Sequence, residues 1–131
     1  MKKTGLLHHE LSEAIAGMGH TDLLVIADAG LPVPPGVRCI DLAVRCGLPP
    51  MLDVVRAVAD ELQVEAITVA DELLTRDETL PAALRALFPG AAFSHCPHDE
   101  FKRLSQRARA VVRTGECTPY NNVILQSGVI F

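Results

Sequence analysis

Apolar positions in this chain fall into short blocks divided by glycine, proline and charge, and the spacing inside each block names an element. The run Leu23-Leu24-Val25-Ile26-Ala27 has the length and branching of a buried strand. A polar Gly-His-Thr-Asp turn precedes it and Asp28-Ala29-Gly30 follows. Ahead of it, Leu11, Ile15 and Met18 share one face at helical spacing over residues 10–18, and Gly17 and Gly19 provide the stop. A short helix therefore feeds the first strand. The following LPVPPG holds three prolines, which exclude a helix and a central strand, so a rigid loop leads to a second short strand over VRCIDL, residues 37–42.

From Gly47-Leu48-Pro49-Pro50 onward the period changes. Met51, Leu52, Val55, Val58, Ala59 and Leu62 recur at steps of three and four, with Asp53, Arg56 and Asp60 on the other face. Proline is tolerated in that first turn because its missing N–H would have had no partner there. VEAITVA, residues 64–70, is the next strand. Strand, helix, strand in this order yields parallel neighbours in a layered α/β fold. Asp71 to Asp77 is ambiguous by periodicity, and its charges read most simply as a solvated segment. TLPAALRALF (79–88) forms an outer helix ended by Pro89-Gly90, and AAFSHC (91–96) a further strand. Pro97-His98-Asp99-Glu100 carries the proline and acids of a helix start, with Phe101, Leu104 and Ala108 on the buried side. RAVVRT (109–114) and NVILQ (122–126) are the last two strands, and the terminal GVIF must find cover in the core or in a subunit contact.

Composition narrows the class. At 131 residues the chain fits one domain, residues 1–131, burying roughly two-thirds of its unfolded surface. Lys plus Arg total 12 against 16 for Asp plus Glu, which argues against nucleic acid as a partner because phosphate binding needs a basic face. No apolar run of signal-peptide length follows the N-terminal lysines, and no stretch approaches the ~18 apolar residues of a membrane span, so a cytoplasmic protein is expected. The cysteines, Cys39, Cys46, Cys96 and Cys117, form no C-x-x-C pair and are expected as reduced, largely buried thiols. Trp is absent, and Tyr120 is the single tyrosine. The core is therefore built mainly from Val, Leu, Ile and Ala, as in buried sheets covered by helices.

Five polar residues stand at the ends of these apolar elements: His20, Asp28, His98, Tyr120 and Asn122. Ends of strands are where ligands bind in α/β sheets, because side chains from separate elements converge there. Each residue also has a plain reading, as a turn histidine, a turn-forming aspartate, a first-turn helix residue or a Tyr-Asn-Asn turn. In the functional reading, His20 exchanges protons near neutral pH and Asp28 orients a histidine or binds a hydroxyl. Tyr120 with its neighbouring amides suits a polyol. A strand between His20 and Asp28 spans roughly 20 Å at about 3.3 Å per residue. Both can serve one site only if the chain folds back or a neighbouring subunit supplies one of them. His95-Cys96-Pro97-His98 is a weak metal signal, since further ligands would have to come from Cys117 or a remote histidine. No Gly-rich phosphate loop, serine nucleophile elbow or H-E-x-x-H pattern is present.

GHTDLLVIADAGLP (19–32) together with RTGECTPYNNVIL (113–125) resembles the ribose pyranase and fucose mutarotase family, and the resemblance runs over essentially the whole chain. Within that resemblance, DAGLP, with Gly30 after the Asp28-Ala29 pair, favours the ribose branch. The resemblance implies a three-layer α/β/α domain around a mixed, partly parallel sheet. It implies interconversion of the pyranose and furanose forms of D-ribose, supplying sugar for ribokinase, with no cofactor and no metal. The proton donor would be His20, with sugar contacts from Asp28, His98, Tyr120 and Asn122. It further implies ring-shaped homo-oligomers, decamers, with sites at subunit contacts. Two other readings stay open: a mutarotase of fucose or a related sugar, and a non-catalytic sugar-binding accessory protein of a ribose transporter.

Overall fold

All six apolar blocks read as strands form strands, joined into one mixed sheet. The structure, a computed structural model, describes residues 1–131. In chain order the elements are α1 (His9–Ala16), β1 (Leu23–Ala27), β2 (Arg38–Asp41), α2 (Met51–Ala59), β3 (Val64–Ala70), α3 (Asp71–Arg76), α4 (Thr79–Leu87), β4 (Ala92–Cys96), α5 (His98–Ser105), β5 (Ala110–Arg113) and β6 (Val123–Ser127). The strands lie in the order β2-β5-β1-β6-β3-β4. β1 pairs with β5 in parallel, as do β2 with β5 and β3 with β4, while β6 runs antiparallel between β1 and β3. The ends of β1 and β5 therefore meet the start of β6 on one side of the sheet. The starts of β1 and β3 meet the end of β6 on the other.

Strand alternation divides the core in two. Leu24 and Ile26 of β1, Val112 of β5 and Val123 and Leu125 of β6 face a large cluster shared with α1, α2, α3 and α4. Leu23, Val25, Ala27, Val111 and Ile124 face the opposite side, where Phe101 of α5 and Leu31 cover them. This is a three-layer α/β/α arrangement with unequal layers. All five residues of β1 are buried, so the element between the two sheet ends is held rigidly. Truncating Ile26 to alanine there would cost about 2–5 kcal/mol.

Two expectations need correction. Asp71 to Asp77 is not merely a solvated segment: Asp71–Arg76 is helix α3, and its Leu73 is completely buried. Tertiary burial of one leucine outweighs the charge around it. The thiols are not largely buried either, because Cys39, Cys46 and Cys117 are exposed, and Cys46 and Cys117 stand side by side with Cα atoms 5.7 Å apart. Of the two covers open to the terminal GVIF, the core of its own chain is not the one that takes its last residues, Ile130 and Phe131 standing 89% and 99% exposed.

Candidate active site

Where β1 ends and β6 begins, Asp28 and Asn122 lock onto each other. The Asp28 N–H donates to Asn122 Oδ1 at 2.8 Å, and Asn122 Nδ2 donates back to Asp28 Oδ2 at 3.0 Å. Asp28 Oδ1 accepts the Gly30 and Leu31 N–H groups at 2.9 and 2.8 Å, which closes the Asp-Ala-Gly turn. Both side chains are buried, at 8% and 1% exposure. The turn-forming reading of Asp28 is thus correct in itself. The same bonds leave part of Oδ2 and one Asn122 N–H available beside a cavity of about 560 Å³ that both residues line.

His98 and Tyr120 line the same cavity. Their rings meet edge to face, with centroids 5.1 Å apart and planes at 84°. His98 Nδ1 is buried without a hydrogen-bond partner in the protein, which suits it to meet a ligand hydroxyl. Its backbone N–H donates to the Glu72 carboxylate at 3.0 Å, so α3 holds the first residue of α5 in place. Tyr120 adopts φ +67°, a left-handed conformation that a bulky residue rarely takes, and the Asn122 N–H closes on the Tyr120 carbonyl at 2.7 Å. Backbone held in this region collects at ligand sites because the surrounding fold must enforce it.

The loop from Thr114 to Asn122 forms the rest of the wall. Thr114 Oγ1 donates to the Ala27 carbonyl at 2.8 Å, tying the loop to the end of β1. Gly115 is packed so closely against Leu48 that an added Cβ would stand 2.2 Å from its carbonyl oxygen. Only glycine fits there. Glu116 Oε1 accepts both the hydroxyl and the N–H of Thr118, at 2.8 and 3.1 Å. Burial pushes the Glu116 carboxyl up, but those bonds and the Met51 and Cys117 N–H groups outweigh it and hold the acid below its ordinary value. Glu116 and Thr118 line the cavity although sequence reasoning did not single them out, and Cys117, named there only as a possible metal ligand, lines it too. Their signal lay within the loop motif itself, a carboxylate and a hydroxyl two residues apart.

His20 is not among the cavity residues. It stands in the turn before β1, at the opposite side of the sheet, with its side chain 54% exposed. The Thr21 N–H donates to the Ser127 carbonyl and the Ser127 N–H to the Asp22 carbonyl, both at 2.9 Å, which pins this turn to the end of β6. The His20 imidazole Nε2 lies 2.9 Å from Glu65 Oε2. Four of the five candidate residues therefore converge, and the fifth is separated from them by the length of β1. His95 is engaged elsewhere, its Nδ1 2.6 Å from Asp71 Oδ1. No three His, Cys, Asp or Glu side chains gather as a metal site.

A family profile described as the RbsD / FucU transport protein family matches residues 1–130. A relative from Symbiobacterium thermophilum named D-ribose pyranase is 56% identical over the full length of both chains. The solved structure of Bacillus subtilis RbsD complexed with D-ribose superposes with a TM-score of 0.96 at 46% identity, again covering both chains completely. A fucose mutarotase from Streptococcus pneumoniae, solved with L-fucose, shares the fold with a TM-score of 0.79 at 22% identity, over 95% of each chain.

Proposed function

The chain belongs to the RbsD / FucU family, and from that premise we infer that it is a D-ribose pyranase, an isomerase interconverting the six- and five-membered rings of the sugar. The observation that carries this reading is the full-length likeness to relatives of that name, at 56% identity for the Symbiobacterium protein. Four side chains far apart in sequence also line one cavity of a size suited to a small ligand.

The reaction consists of proton transfers. Opening the pyranose removes the proton of the anomeric hydroxyl, whose oxygen becomes the aldehyde carbonyl. The bond from C1 to the ring oxygen breaks, and that oxygen keeps the electron pair and takes a proton. Closure reverses these steps with the C4 hydroxyl as nucleophile. An imidazole serves both directions because it gives and accepts protons near neutral pH. His20 fills that role in our reading, while Asp28, His98, Tyr120 and Asn122 bind the sugar hydroxyls. Asp28 Oδ2 is a fixed acceptor and His98 Nδ1 a polar atom with no bond to lose.

His20 reaches such a sugar only from a neighbouring subunit, and the uncovered Ile130 and Phe131 offer apolar surface for subunit contacts. A homo-oligomer, a decamer in the fullest form of this reading, follows, working in the cytoplasm upstream of a sugar kinase. Saturation-transfer NMR on D-ribose and L-fucose tests the assignment. Enhanced exchange between ribopyranose and ribofuranose signals is expected, and enhancement of fucose anomer exchange alone would reject ribose. Ribose binding without faster exchange would mark a transporter accessory.

A further inference from the structure

We propose that Glu65 is a positioning residue for His20, forming with it a carboxylate–imidazole pair that fixes which ring nitrogen faces the sugar. The inference deepens the reading just given and rests on His20 being the proton carrier. Its first support is the geometry at the end of the sheet remote from the cavity. Glu65 Oε2 lies 2.9 Å from His20 Nε2, and Glu65 Oε1 accepts the Gln126 side-chain amide at 2.7 Å. One oxygen is thus anchored on β6 while the other holds the imidazole.

The backbone is shaped for this placement. β3 and β6 pair regularly from Ala66 onward, Ala66 opposite Gln126, but the register shifts between Val64 and Ala66. The residue at that irregularity is Glu65. Bulges re-aim a side chain and are common next to active sites. Gly128 completes the niche, since a Cβ there would stand 3.0 Å from Glu65 Cβ.

Neighbouring charges do not compete for the imidazole. Asp22, in the same turn, accepts the Gly19 N–H at 2.8 Å and the Arg109 guanidinium at 2.8 Å. Glu65 is the acid turned to His20, and the Gln126 amide, then His20 itself, hold its carboxyl below the ordinary value. A carboxylate can only accept, so Nε2 carries the proton of the neutral ring and Nδ1 is left with the lone pair. Nδ1 is then the atom that takes the anomeric proton and returns it to the ring oxygen. The imidazolium formed between the two transfers is stabilised by the adjacent negative charge.

The test compares wild type with E65Q, H20N and the double variant, all full-length, by the kcat and KM of ribose ring exchange. Glu65→Gln keeps the shape and the Gln126 contact but removes the charge. We expect kcat to fall about tenfold with KM unchanged. In the H20N background the same change should have no further effect. An E65Q enzyme with wild-type kcat, or one that loses only in KM, would overturn the pair while leaving His20 as the proton carrier. An equal added loss in the H20N background would also overturn it, as the glutamate would then act independently. Wild-type exchange by H20N itself would sink the underlying reading and the pair together.

Discussion

The two ends of β1 solve opposite problems. At its C-terminal end Asp28 is buried, and its carboxylate already holds three donors from its own chain. At its N-terminal end His20 is half exposed and holds one partner, Glu65. The first end, as the proposed receptor, has its geometry fixed by its own chain, which would limit the ordering cost of binding. The second, in the proposed reading, is a reactive group left open for a neighbouring subunit. A rigid buried strand keeps the two apart, so one chain carries both halves of the proposed chemistry without being able to combine them.

The sharpest break of this contrast is His20→Ala. Ring exchange should fall by about 10²- to 10⁴-fold, while the urea midpoint stays close to the wild-type value because the half-exposed side chain holds only a surface pair with Glu65. Co-assembly of H20A chains with D28N chains should then restore part of the lost exchange, since some sites would combine an intact histidine from one chain with an intact receptor from another. Activity in mixed assemblies no higher than in either parent would mean that the two halves work within one subunit or not together.

Asp28→Ala strikes the other end and should behave in the opposite way. It leaves the Gly30 and Leu31 N–H groups and the Asn122 amide without their acceptor, costing about 2–3 kcal/mol of stability by urea denaturation. Glu72→Ala is milder. It removes the acceptor for the His98 N–H at the start of α5, and a loss of about 1 kcal/mol with weaker ribose binding is expected.

The smallest effect is acid sensitivity, to which both ends contribute. The Gly19 N–H and then Arg109 hold Asp22 below its ordinary 3.8. Glu65 and Glu116 are likewise held below 4.5. A carboxyl with a depressed folded value binds fewer protons folded than unfolded. Its stabilisation is present above the ordinary value and is lost as pH falls through the folded one. Urea midpoints should therefore be flat from pH 7 to about 5 and decline below about 4.5. A midpoint that rises on acidification would contradict these assignments.

Much of the fold was legible because its signals are local. Branched apolar runs such as Leu23–Ala27 and Val123–Leu125 can bury both faces only as inner strands, and Pro97 with two following acids marks a helix start wherever it occurs. The site was half legible. Polar residues at strand ends pointed to Asp28 and Asn122, and resemblance singled out the same positions, yet spacing could not show that they clamp each other across 94 positions. Glu65 looked like any acid in an otherwise apolar strand. Glu72 sat in a charged stretch read as solvated, although it holds His98 in place.

By itself, then, the sequence determined the elements, their α/β order and the residue types available for proton transfer, because periodicity, capping and composition act between neighbours in the chain. Tertiary structure alone decided which of those residues meet. The antiparallel insertion of β6 between β1 and β3 brings Asn122 to Asp28 at one end and Gln126 and Glu65 to His20 at the other. Pairing between distant strands is set by how the whole apolar surface is buried, and no local run of residues encodes that choice.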